Sequence, residues 1–380
     1  MVDDTKRLLF ITGTRADYGK IKSLIKILNE DVNFEVFIFA TGMHMLSKYG
    51  FTYKEIEKDG FPYIYPFINQ NQTTNMDIAL SNTITGISYY VEETNPDAIV
   101  VHGDRLEALA GAIVGAFNNI KILHIEGGEV SGTIDESIRH AISKFSHFHF
   151  VANDKAKRRI VQLGEPEENI FVFGSPDIDI MYSESLPSIK DVKNRYEIPF
   201  EEYNILMYHP VTTELYKLKD NIKSVVDSVL SSNDNYVVIY PNNDAGSEII
   251  LKEYEKFNNN EKFRVFPSMR FEYFLSLLRN ANCMVGNSSS GIRETGIYSI
   301  PTVDIGTRQN GRFNPKISEH IIHVNENEFN SNTIEKAKQL SVKPSSYFGK
   351  GNSDKIFHEI LSNSFIWDSD IQKEFIDIDF

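Results

Sequence analysis

Three acidic side chains stand where apolar runs give out. DAIVVHGDR ends in Asp104, its successor KILHIEGGE ends in Glu126 before the Gly127–Gly128 turn, and SGTIDESIRHAISKF follows at once with Asp135. Carboxylates delivered to one place push their pKa values apart, leaving one proton acceptor and one donor, which is equipment for general acid/base chemistry. A plainer reading competes with this one: Asp135 as a charge favoured by a helix N-terminus and Asp104 as a turn former. Thr133-x-x-Glu136 is a capping box that starts the helix carrying Asp135. Ile134, Ile138, Ala141, Ile142 and Phe145 are expected to form that helix's buried stripe, with Asp135 and Arg139 on a different face.

A second group of residues suits an anion. The first apolar run enters GTRADYGK, where Gly13 permits a tight turn and Arg15 emerges at a helix start. This is not a nucleotide-hydrolysing loop, because Ile21 stands where Ser or Thr is needed after Gly19–Lys20, and no GxGxxG occurs anywhere. NILMYHPVTTE puts His209 after a strand. GNSSSGIRETG then offers Ser288, Ser289 and the free N–H groups of a helix as a phosphate cradle, with Glu294 placed to accept from ribose hydroxyls. GTRQNGR adds Arg308 and Arg312, suited to a diphosphate. Arg15 as a surface residue near a cap, and serine-rich capping without ligand, are the competing structural readings.

Other chemistries fit less well. Ser289, His209 and Asp104 lack a GxSxG elbow, and the H-x-E pair His124–Glu126 lacks paired cysteines, since Cys283 is the sole cysteine. His124 and Glu126 are expected to point apart, and His147 and His149 to be packed, so no metal is expected. Thirty-nine basic against 53 acidic residues leave a net charge of −14, which opposes nucleic acid and anionic membranes as partners. The acidic start MVDDTKRLLFITG and the lack of long apolar stretches point to the cytoplasm.

Positioning these residues requires parallel sheets. Runs such as RLLFITG, FEVFIFATG, DAIVVHGD, KILHIEGG and FHFVAN alternate with amphipathic segments, and the rhythm resumes with NILMYHP, YVVIYPNN, FRVFPS, NCMVGNSSS and IPTVDIG. Between them lies a polar, proline-bearing interval. The 380 residues thus divide into two α/β halves, 1–180 carrying the carboxylates and 190–362 carrying the phosphate cradle. A tail, 363–380, with Trp367, reads as one or two amphipathic helices.

Taken together, GTRADYGK, ATGMH, VHGDR, HIEGGEVSGTIDESIRH, HPVTTE, PNNDAG, GNSSSGIRETG and GTRQNGR resemble the hydrolysing UDP-N-acetylglucosamine 2-epimerases, over nearly the whole chain and in the same order. Non-hydrolysing relatives carry a GTRPE-like start and an HVEAGLR-like second site, where this chain has Ala16–Asp17 and Gly127–Gly128. The resemblance implies an α/β protein of GT-B architecture, two Rossmann-like domains facing across a cleft, with the tail packing back on the first. It implies that Asp104, Glu126 and Asp135 are the acid/base carboxylates and that His124 and Arg139 lie near the sugar. It places UDP on Arg15, His209, Ser288, Ser289, Glu294 and Arg308, with Met269 near the uracil. The implied reaction needs no cofactor: a base removes the C2 proton as UDP leaves C1, and water adds to the 2-acetamidoglucal to give N-acetylmannosamine. Related enzymes of legionaminic acid synthesis act on UDP- or GDP-linked N,N′-diacetylbacillosamine, with the same C1 and C2. A homodimer or homotetramer is expected. A GT-B glycosyltransferase and a non-catalytic nucleotide-sugar sensor are the alternatives of another class.

Overall fold

The apolar runs are long because both faces of each sheet are covered. In β1 (Lys6–Thr12), Leu8 and Phe10 point to one face and Leu9 and Ile11 to the other, and all four are buried. The computed structural model describes residues 5–131, 134–183, 186–312, 318–345 and 347–377, and the chain forms two compact units.

The first unit continues with β2 (Phe34–Ala40), β3 (Tyr63–Pro66), β4 (Ala98–His102), β5 (Lys121–Ile125), β6 (Phe148–Val151) and β7 (Ile170–Val172). These strands form a parallel sheet in the order β3-β2-β1-β4-β5-β6-β7. The second unit contains β8 (Asn204–Met207), β9 (Tyr236–Ile239), β10 (Phe263–Phe266), β11 (Met284–Gly286), β12 (Thr302–Ile305) and β13 (Ile321–Val324). Its parallel order is β10-β9-β8-β11-β12-β13. Strand order reverses between β1 and β4 in one sheet and between β8 and β11 in the other. Beyond the carboxyl ends of strands flanking such a reversal, two connections diverge and leave room for a ligand.

The first unit comprises the chain up to Glu129, Asp135–Tyr182 and everything from Tyr347, while the second takes Val130–Ile134 and the chain from Ser183. The chain therefore rejoins the first unit well before residue 363. Helix Ser353–Leu361 is responsible: Phe357 packs edge-on against Phe150 at 4.7 Å, and Phe357 and Leu361 share a core with Leu24 and Leu28. The short helix Ser364–Asp368 follows, with Phe365 against Phe148 and Lys6 over Trp367.

Helix Ile134–Phe145 departs from its expected stripe. Ile142 is buried, but Ile134 is 42% exposed and Ile138, Ala141 and Phe145 are half-buried. Arg139 and Ser143 are buried instead, because each has a polar partner inside the unit. Thr133 of the capping box lies outside the described residues. Among the described residues, no helix is long and apolar enough to cross a membrane.

Candidate functional site

In the first unit the site grows from the end of β1. Thr14 caps helix Arg15–Asn29 by accepting from the Asp17 N–H at 3.0 Å, which turns Asp17 back toward the sheet. There its Oδ2 accepts from the Thr12 hydroxyl at 2.7 Å and the Gly13 N–H at 3.1 Å. Gly13 is needed for space rather than for a turn, since a Cβ there would lie 2.6 Å from the buried Glu107 carboxyl carbon.

His102, the last residue of β4, joins two carboxylates. Its Nδ1 lies 2.6 Å from Asp17 Oδ1 and its Nε2 lies 3.2 Å from Glu126 Oε2. Burial opposes charge on this ring, but the charges of Glu126 and Asp17 and their hydrogen bonds outweigh burial and raise His102 to about 9. Burial opposes charge on Asp17 as well, but the bond and charge of His102 together with the hydrogen bonds from Thr12 and Gly13 hold it below its ordinary value. At neutral pH the two form an ion pair. Glu126 follows β5 with φ +64°, a left-handed backbone that disfavours a side chain by about 1 kcal/mol, and the Ser175 hydroxyl donates to its Oε1. Ser175 is itself placed by helix Pro176–Met181, whose buried Asp177 pairs with Lys20 at 3.2 Å.

Asp104 has a different partner: the buried Arg139 guanidinium donates to its Oδ2, and donates again to the Glu129 carbonyl at 3.2 Å. Two of the three sequence-expected carboxylates thus each lie beside a basic side chain, Asp104 beside Arg139 and Glu126 beside His102. Asp135 sits half-buried in the first turn of its helix. His124 donates from Nε2 to the Gly103 carbonyl at 2.9 Å, so its Nδ1 accepts from Ser143, and burial pushes it down to about 3. Residues two apart on a strand share a face. His124 and Glu126 keep separate partners because β5 ends at Ile125 and the left-handed turn re-aims Glu126. Arg15 lies 4.0 Å from Glu55. His147 and His149 are packed, with the Ile122 N–H donating to His147 and Glu165 lying 3.3 Å from His149.

Sequence reasoning passed over Asp17, His102 and Ser175. The first two lie inside quoted motifs, in GTRADYGK and VHGDR, but their meeting across 85 residues is not written in the sequence. Ser175, 49 residues beyond Glu126, had no signal.

In the second unit, Asn287 is the hub. Its Oδ1 accepts from the His209 N–H at 2.6 Å, and its Nδ2 donates to the His209 carbonyl at 2.9 Å. Its own carbonyl takes Gln309 at 2.7 Å and Arg308 at 3.3 Å. The ends of β8, β11 and β12 are thereby locked together. The Asn242 N–H donates to His209 Nδ1 at 3.1 Å, so the neutral ring carries its proton on Nε2. Gly286 makes the approach possible: at φ +134° its added Cβ would sit 2.0 Å from the Met207 carbonyl oxygen.

The serine segment corrects the expected cradle. Ser289–Gly291 is a tight 3-10 turn and Glu294–Tyr298 a five-residue helix. Ser290 N–H donates to Ser288 Oγ, Gly291 to the Ser288 carbonyl, and Ile292 and Arg293 to the Ser289 carbonyl. Those N–H groups are consumed by the turn's own closure, leaving side chains to meet a ligand. Glu294 begins the short helix with its carboxylate inaccessible to water, and Ser288, Arg308 and Met269 are also buried. Arg312 donates to the Val130 carbonyl at 2.6 Å and to Gln309 at 3.2 Å.

Residues 26–362 match the family model described as UDP-N-acetylglucosamine 2-epimerase. The chain belongs to this epimerase family. It is 46% identical to the UDP-N-acetylglucosamine 2-epimerase of Neisseria meningitidis serogroup B over 98% of this chain and 99% of that one. It is 35% identical to the UDP-N,N′-diacetylbacillosamine 2-epimerase (hydrolyzing) of Legionella pneumophila over 94% and 95% of the two chains. A crystal structure of a UDP-GlcNAc 2-epimerase from N. meningitidis bound to UDP-GlcNAc shares the epimerase fold, with TM-score 0.77 over 94% of this chain and all of that one, at 15% identity.

Proposed function

We propose that this family member is a hydrolysing nucleotide-sugar 2-epimerase, converting UDP-N-acetylglucosamine to N-acetylmannosamine and UDP. The observation that carries the reading is the setting of Glu126: a buried carboxylate in left-handed backbone, hydrogen-bonded by Ser175 and faced by the His102 ring at 3.2 Å. A group held there at a conformational penalty suits proton transfer. In the first half-reaction Glu126 or Asp104 takes the C2 proton while the C1–O bond to UDP breaks, and C1 and C2 become doubly bonded. In the second, water supplies hydroxyl to C1 and a proton returns to C2 from the opposite face, with Asp135 orienting or donating. His124 and Arg139 serve the sugar. Arg15, His209, Met269, Ser288, Ser289, Glu294 and Arg308 hold UDP, whose leaving charge the arginines meet. The hydrolysing assignment is supported by Ala16–Asp17 and Gly127–Gly128 and by the 35% identity to the L. pneumophila enzyme, a hydrolysing 2-epimerase.

That relative also supports a second reading, the same reaction on a nucleotide-linked N,N′-diacetylbacillosamine. Proton NMR in deuterated water, with each UDP-sugar and no acceptor, tests both. Free manno sugar deuterated at C2, with one equivalent of UDP, is expected, and the faster substrate identifies the sugar. A UDP-linked manno product would indicate a non-hydrolysing enzyme, and a free sugar of retained gluco configuration a glycosyltransferase's side reaction.

A further inference from the structure

A continuous line of polar contacts runs through the first unit behind Glu126. Thr52 meets His44 at 2.8 Å, His44 meets Thr12 at 3.2 Å, and the Thr12 hydroxyl donates to Asp17, which holds His102, which faces Glu126. We propose that His102, backed by Asp17, is a positioning residue that keeps Glu126 ionised and aimed for proton removal. This rests on the reaction assigned above.

Asp17 is immobilised by the Thr12 hydroxyl and Gly13 N–H, so it holds His102 through Nδ1 and leaves Nε2 3.2 Å from Glu126 Oε2. A buried carboxylate without a nearby cation tends to protonate and would then lose its capacity as a base. Several neighbouring groups of the unit have partners of their own or are kept neutral. Lys20 of helix Arg15–Asn29 pairs with Asp177 of helix Pro176–Met181, and Arg15 lies toward Glu55. His44, in the turn Gly42–Met45, is kept neutral by burial, as is His124 on β5. Glu107, on helix Leu106–Phe117, is pushed toward its neutral form by burial despite Arg105 at 3.4 Å. The imidazolium acts through Glu126 and needs no contact with substrate.

The test is the pH profile of kcat/KM for the full chain and its variants. In His102→Gln, kcat at pH 7 is expected to fall about 100-fold, with the acid limb moved up by one pH unit or more and KM within threefold. Asp17→Asn, a milder change, should move the same limb the same way by less. A constant loss at every pH, with the limb in place, would reduce His102 to a structural role and overturn the proposal. Nitrogen-15 spectra of labelled histidine give a readout independent of the reaction: His102 should carry protons on both ring nitrogens at pH 7.5 and lose one in Glu126→Gln. A singly protonated ring in the unmodified protein overturns the proposal, whereas a doubly protonated ring without manno product overturns only the assigned reaction.

Discussion

The two units place their candidate functional residues in equivalent positions and build them from opposite materials. Beyond β1, β4 and β5, charges face charges: Asp17 and Glu126 about His102, and Asp104 on Arg139. Beyond β8, β11 and β12, a neutral amide, Asn287, ties three strand ends through backbone groups and hands its carbonyl to Gln309 and Arg308. The same topology thus supports a region whose protons can be redistributed and one whose donors and acceptors are fixed. The first suits bond-making at carbon, the second suits holding a ligand whose chemistry lies elsewhere in the molecule.

A large effect that would break this contrast is expected at Asp104. Asp104→Asn should lower turnover about 1,000-fold, roughly 4 kcal/mol in the barrier, while UDP affinity by calorimetry stays within threefold. Equal losses in both would erase the division of labour. Next, Gly286→Ala in the fixed region should reduce stability by about 3 kcal/mol in urea unfolding, because Cβ meets the Met207 carbonyl.

The titratable region should also be the acid-sensitive one. Burial lowers His147 to about 4 against an unfolded value near 6.5. Its contribution is therefore present above about pH 6.5 and lost as pH falls toward 4, amounting to about 2 kcal/mol by pH 5. Replacing it in His147→Gln should flatten the acid loss of stability by that amount, measured by urea unfolding at pH 7 and 5. The smallest effect is expected at Asn287. Asn287→Ala removes two hydrogen bonds to His209 and should weaken UDP about tenfold, with kcat at saturating substrate within threefold.

Much of this was legible in the sequence, for physical reasons. Doubly covered strands read as apolar runs, so RLLFITG, DAIVVHGD and NCMVGNSSS located β1, β4 and β11, and with them the residues that follow. β3, β7 and β13 are short or partly exposed and left no comparable run. The carboxylates Asp104 and Glu126 were visible as strand-end acids, but their cations were not. Arg139 lies 35 residues from Asp104, and the burial that makes it a partner is a tertiary fact. Asp17 and His102 are 85 residues apart, joined only because β1 and β4 are neighbours. The free helix N–H groups expected at the serine segment are absent at residues 290–293, because composition does not distinguish a helix start from a turn that consumes its own N–H groups.

The most direct test of proton chemistry confined to the first unit is a paired measurement on Glu126→Gln: UDP affinity by calorimetry and release of UDP from UDP-N-acetylglucosamine. The account predicts affinity within threefold of the unmodified protein and turnover reduced at least 1,000-fold. Turnover near the unmodified level, or a loss of UDP affinity that accounts for the loss of turnover, would contradict it.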